Sequence, residues 1–139
     1  MKRRTFIIST AALGALYGIS ASAQARDMTY VPGLVKKQLD SGKTVFVDFY
    51  ASWCTTCRAQ SRVIDALRAA NPEYDKNIVF VTVDWDTYSQ GDLARALKIP
   101  RRSTLVVLKG NKELGRVVAG TSKKMIKALM DTALKAAMA

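Results

Sequence analysis

From Thr44 to Tyr50 the chain runs through β-branched and aromatic residues with a single acid, Asp48, among them. It then breaks into Trp53-Cys54-Thr55-Thr56-Cys57, after which Val63, Ile64 and Leu67 recur at helical spacing. A strand that is apolar on both faces belongs inside a sheet with helices on each side. The junction therefore places two thiols where a buried strand hands over to a helix. These are the only two cysteines of the chain. A bare Cys-x-x-Cys also serves zinc, haem attachment and structural disulfides, but the strand before it and the helix after it favour dithiol redox chemistry. A structural disulfide closing so short a loop would constrain the unfolded chain little.

The flanking patterns extend the same architecture. Val31 to Leu39 has the spacing of a short covering helix, and the first long helix is expected to run to about Ala70, stopped by Asn71-Pro72. A second buried strand covers Ile78 to Val83, and a short helix is expected from Ser89, as its cap, to Leu97, before Pro100. Thr104–Leu108 and Glu113–Val118, separated by a polar turn at Lys109-Gly110-Asn111-Lys112, read as a hairpin. After Gly120, Thr121 or Ser122 caps a last helix whose stripe is Met125, Ile126, Leu129, Met130, Ala133, Leu134 and Ala137. The fold class is α/β: a mixed central sheet built from two βα crossovers and an antiparallel hairpin, flanked by helices on both faces.

Residues 1–25 read as a cleavable export signal, leaving 26–139 as one domain. Lys2-Arg3-Arg4 precedes a short apolar stretch diluted by Ser9, Thr10, Gly14 and Gly18, and Ala21-Ser22-Ala23-Gln24-Ala25 offers small residues at cleavage spacing. An uncleaved membrane anchor is the alternative, although a spanning helix wants roughly 20 predominantly apolar residues. Arg3-Arg4-Thr5-Phe6-Ile7 also resembles a twin-arginine signal, so either the twin-arginine or the general secretion route fits. Both imply a periplasmic location, with membrane contact only through the signal before cleavage. Outside the cytoplasm an unpaired Cys-x-x-Cys is rarely idle.

Charge excludes little but narrows the partners. The chain has 22 basic and 11 acidic residues, and loss of the three signal bases leaves +8 on residues 26–139. The bases are dispersed as Lys36-Lys37, Arg101-Arg102 and Lys123-Lys124, without aromatic interleaving. That pattern describes a solvated surface, not a nucleic-acid footprint.

Val47-Asp48-Phe49-Tyr50-Ala51-x-Trp53-Cys54-x-x-Cys57 resembles the thioredoxin superfamily signature, and the Thr104-Leu105 strand, the hairpin and Gly120 extend the likeness from about Val31 to the C-terminus. Among its members the chain is most like the exported bacterial thiol-disulfide oxidoreductases. Cys54, at a helix N-terminus that favours thiolate, is then the attacking sulfur, and Cys57, one turn further in, resolves the mixed disulfide. Asp48 is expected to carry a raised pKa and to shuttle a proton to or from Cys57, as the matching acid does in the family. A purely structural acid, satisfied by local hydrogen bonds, is the competing reading. Trp53 is expected either to cover the site or to belong to the core. With Arg102, Ser103 and Thr104 it is assigned to the partner groove.

Three departures stand out. Thr82 occupies the place of a lysine that assists the acid in the family. Thr55-Thr56 replaces the dipeptides of thioredoxins and of strong oxidants, and lacks an imidazolium, which favours a reductant. Ser103 stands where the family has a cis-proline, and since a cis non-proline bond costs about 3–4 kcal/mol, the 102–103 peptide is expected to be trans or strained. The resemblance implies protein thiols or disulfides as clients, a membrane-bound electron donor, and no organic cofactor. Two other classes stay open: a metal- or cluster-binding dimer, since loss of the proline exposes the dithiol to soft metals, and a non-catalytic binding module.

Overall fold

The computed structural model describes residues 27–139, so the expectations for residues 1–25 lie outside the described residues. Eleven elements follow in order: β1 (Met28–Thr29), α1 (Leu34–Asp40), β2 (Thr44–Tyr50), α2 (Thr55–Ala70), α3 (Glu73–Asn77), β3 (Ile78–Asp84), α4 (Trp85–Tyr88), α5 (Asp92–Ala96), β4 (Thr104–Lys109), β5 (Lys112–Val118) and α6 (Lys123–Met138). The sheet order is β1-β3-β2-β4-β5. β2 lies at its centre, parallel to β3 and antiparallel to β4, which explains why six of its seven residues are buried.

Side chains alternate across β2 and divide the core in two. Phe46 faces α2, α3 and α6, packing with Ile64, Leu67, Tyr74, Phe80, Ile126 and Met130. Val45, Val47 and Phe49 face the other way, toward Val35, Val81, Val83 and Ala94. Asp48 shares its face with Phe46, so the acid is directed to the side covered by α2.

The mixed sheet and its flanking helices are those the patterning implies, but the crossovers differ in detail. The two parallel units are β1-α1-β2 and β2-α2-β3, whereas the passage from β3 through α4 and α5 delivers β4 antiparallel to β2. β1 has only two residues, too few to register as a hydrophobic pattern. The helix expected over 89–97 is confined to α5, and a separate short helix, α4, precedes it across Ser89-Gln90-Gly91. Ser89 ends α4 instead of capping α5, and Asp84 caps α4 by accepting from Asp86 N–H. Ser122 caps α6 by accepting from Met125 N–H. Met125 itself is exposed and leaves the stripe, whose buried part is Ile126, Leu129, Met130 and Ala133. The hairpin turn is tighter than expected, with only Gly110 and Asn111 between the strands, and Gly110 supplies a φ of 60°.

Candidate active site

Cys54 is the N-cap of α2. Its extended backbone (φ −89°, ψ 112°) turns the side chain back over the first turn, and Sγ accepts a hydrogen bond from Cys57 N–H at 3.1 Å. The sulfur thus takes the place of the oxygen that normally satisfies an unpaired amide at a helix start. Cys54 N–H donates to Ala51 C=O at 3.1 Å, which closes the turn between strand and helix. Both cysteines are buried free thiols, and Ala51 packs with them.

The two thiols are pushed apart in acidity. Burial works against ionisation at Cys54 but is outweighed by hydrogen bonds from the Cys57 side chain and backbone and from Arg102, with the Arg102 charge adding to them, so its pKa falls. Cys57 is raised, first by burial and then by its bond to Cys54 and the charges of Cys54 and Asp48. The split leaves Cys54 the more acidic thiol of the pair and Cys57 the one that keeps its proton more firmly.

Asp48 lies on the same side of the sheet as α2 and is buried, with Oδ1 lacking any hydrogen-bond partner. Burial, then the charges of Asp27 and Asp65, lift its pKa to about 7. Thr82 sits directly opposite Asp48 in the β2–β3 register, and its hydroxyl donates to Asp27 Oδ2 at 3.4 Å. Where a lysine would hold the carboxyl ionised, this site offers a neutral hydroxyl and a further acid. At neutral pH the carboxyl is accordingly close to half protonated, which suits a group that gives and takes a proton.

The second half of the site is the 101–103 loop. There is no cis peptide bond among the described residues, and Ser103 instead adopts a left-handed backbone, φ 58°. That conformation costs a non-glycine residue roughly 1–2 kcal/mol. Hydrogen bonds hold it: Ser103 N–H donates to Phe49 C=O at 2.7 Å, and Ser103 C=O accepts from Ala119 N–H at 2.8 Å and from Gln60 Nε2 at 3.0 Å. Ala119 is itself left-handed, φ 59°. Gln60, fully buried on α2, also donates to Gly120 C=O at 2.9 Å and so ties both loops to the cysteine helix. Sequence reasoning passed over Gln60. Its signal was a lone amide in the stripe Cys57, Gln60, Ile64, Leu67, where a polar side chain must have buried partners.

The residues assigned to the groove separate. Ser103 and Thr104 are fully buried, and their hydroxyls donate to Arg102 C=O at 2.5 Å and Arg101 C=O at 2.7 Å, so they shape the loop without facing outward. Trp53 is 54% exposed, which places it over the site and not in the core; its Nε1 donates to both carboxylate oxygens of Asp86 at 3.0 Å. Arg102 stacks on the Trp53 ring with Cζ 4.5 Å from the centroid. The side chain of this loop that stacks on Trp53 and lowers the Cys54 pKa is therefore an arginine. Among the described residues no group of three or more histidine, cysteine or acidic side chains gathers as a metal site.

The thioredoxin family model matches residues 32–132. Thioredoxin 1 of Nostoc is 31% identical over 113 residues, which is 81% of this chain and 97% of the relative, and thioredoxin of Coprinus comatus is 32% identical over 99 residues, 70% and 88% of the two chains. In structure the chain is similar to Trxlp of Edwardsiella tarda, with a TM-score of 0.63 at 27% identity over 73% of this chain and 96% of the other. NaTrxh of Nicotiana alata superposes with a TM-score of 0.59 at 30% identity over 74% and 88%. With a buried Cys-x-x-Cys pair at the start of α2 and these likenesses across nearly its whole described length, the chain belongs to the thioredoxin family of thiol-disulfide oxidoreductases.

Proposed function

We propose that this oxidoreductase works in the periplasm as a reductant of protein disulfides, recharged by a membrane-bound electron donor. The observation that carries the exchange chemistry is the hydrogen bond from Cys57 N–H to Cys54 Sγ, beside a buried acid poised near neutrality. Cys54 thiolate attacks one sulfur of the client disulfide; the client S–S bond breaks, a Cys54–client bond forms, and the electron pair leaves on the client's second sulfur. Cys57 then passes its proton toward Asp48 and attacks Cys54 Sγ. The mixed disulfide breaks, the client leaves as a dithiol, and two electrons have moved from protein to client. Both neutral Thr55-Thr56 and the absence of histidine from the chain support the reducing direction, since neither supplies an imidazolium to stabilise the thiolate. Arg102 works against this in part, because a cation beside Cys54 favours the reduced form.

The location rests on Lys2-Arg3-Arg4, the apolar stretch after it and the small residues before Arg26. Cys57→Ser, expressed as the full chain, leaves the mixed disulfide without a resolving thiol. It is expected to accumulate covalent adducts with exported proteins in the periplasmic fraction, while Cys54→Ser traps none. Adducts confined to cytoplasmic proteins would sink the location. A reduction potential near that of strong oxidants, about −120 mV, instead of near the thioredoxin value of about −270 mV, would sink the reducing direction.

A further inference from the structure

Arg102 is short of a partner. Its Nε–H is buried without an acceptor, and none of the ion pairs among the described residues involves it. Asp86, the acid held at Trp53, is engaged by the indole N–H through both its oxygens. In the reduced protein the guanidinium, stacked on Trp53, favours the Cys54 thiolate, whose charge offsets its own.

That balance is lost in turnover. When Cys54 thiolate attacks a client disulfide, its negative charge departs on the client's leaving sulfur, and Cys54 stays neutral through the mixed disulfide and the oxidised form. The guanidinium, pinned against the exposed face of Trp53, is then a partly buried cation with no counter-charge and an unfilled donor. A buried charge in that position is costly unless paired. A carboxylate on the client, delivered alongside the reacting cysteine, supplies both the charge and the acceptor, and a planar guanidinium is the cation best suited to take it.

We propose that Arg102, stacked on Trp53, is a specificity-determining residue that selects client disulfides flanked by an aspartate or glutamate. The proposal rests on the exchange reading above and adds the class of client. Arg101 is not part of it, because its Nε donates back to the Arg102 carbonyl at 3.1 Å.

The test uses the reduced protein in single turnover, so that no electron donor is needed. Three cyclic disulfide peptides are compared that differ only in the residue beside the attacked cysteine: Glu, Gln or Lys. The Glu peptide is expected to react about tenfold or more faster than the Gln peptide, as befits a charge-assisted hydrogen bond, with the Lys peptide slower again. In Arg102→Gln the Glu/Gln ratio should fall to within about twofold, although all three rates drop through the weaker thiolate; the ratio cancels that common loss. Arg101→Gln should keep the preference. Equal Glu and Gln rates with the unaltered protein, or a preference that survives Arg102→Gln and so belongs to the general positive charge, would overturn the proposal. If no peptide is reduced, the exchange reading itself fails.

Discussion

The two halves of the active site solve the same problem with opposite means. At the β2–α2 junction the backbone serves the side chains: an N-cap position and an unpaired amide of the first helical turn hold Cys54 Sγ. In the 101–103 loop the side chains serve the backbone: Gln60 and the hydroxyls of Ser103 and Thr104 bond main-chain carbonyls so that Ser103 can keep φ 58°. The first half follows the family signature apart from Thr55-Thr56 between the cysteines, and the second lacks its proline. A loop position can thus be pinned by a ring or by a hydrogen-bonded left-handed residue. The second solution frees an N–H, which Ser103 donates to Phe49.

Asp48, on the cysteine side, carries the largest expected effect. Because its folded pKa is raised, from the ordinary carboxylate range to about 7, the folded state holds a proton that the unfolded state releases. Its contribution to stability is therefore full below about pH 4 and is lost as pH rises toward 7. At about 1.4 kcal/mol per pKa unit, Asp48→Asn should be more stable than the parent by a few kcal/mol at pH 8 and nearly equal to it at pH 4, while the resolving step slows. Denaturant melts at the two pH values decide it. A stability difference independent of pH would mean the carboxyl is not held neutral.

Restoring the family residue on the departing side gives the next largest effect. Ser103→Pro demands φ near −65° where the loop has 58° and removes the N–H that bonds Phe49, so thermal or urea unfolding should show a loss of about 3 kcal/mol or more. Ser103→Gly, which accepts this φ and keeps the N–H, should change stability by less than about 1 kcal/mol. A well-tolerated proline would show that the loop switches freely between the two solutions.

Gln60→Leu tests the link between the halves. It leaves Gly120 C=O without the amide that it accepts from, at a cost of about 1–2 kcal/mol, moderated because Gln60 Oε1 has no partner to lose. Urea midpoints measure it. A neutral result would mean that the strand pairing alone holds Ser103.

Much of this was legible because it is local. The apolar run Thr44–Tyr50, a cap at Thr121 or Ser122, the stop at Asn71-Pro72 and a hairpin turn within Lys109–Lys112 are each written in a few consecutive residues. The placing of Cys54 at the N-cap, with Cys57 one turn further in, follows from the three-residue spacing. β1, with two residues, and the break at Ser89-Gln90-Gly91 leave no periodic trace, and the antiparallel entry of β4 depends on how α4 and α5 pack. Ser103 stands where the family has a cis-proline, yet Arg102 is the loop residue whose side chain stacks on Trp53, because the direction a side chain takes depends on φ and φ on distant partners.

Sequence alone determined the long helices, the buried strands and the hairpin, and the thiol pair with its acid, since hydrophobic period, capping and i to i+3 spacing are properties of neighbours. Tertiary structure alone decided the electrostatics: that Asp48 lies opposite Thr82 and feels two further acids, that Gln60 braces two loops, and that Arg102 stacks on Trp53 and lowers the Cys54 pKa. The physical reason is that charge and hydrogen bonding act through space. Partners such as Gln60 and Ser103, or Trp53 and Arg102, are more than forty residues apart in the chain and in contact only once it has folded.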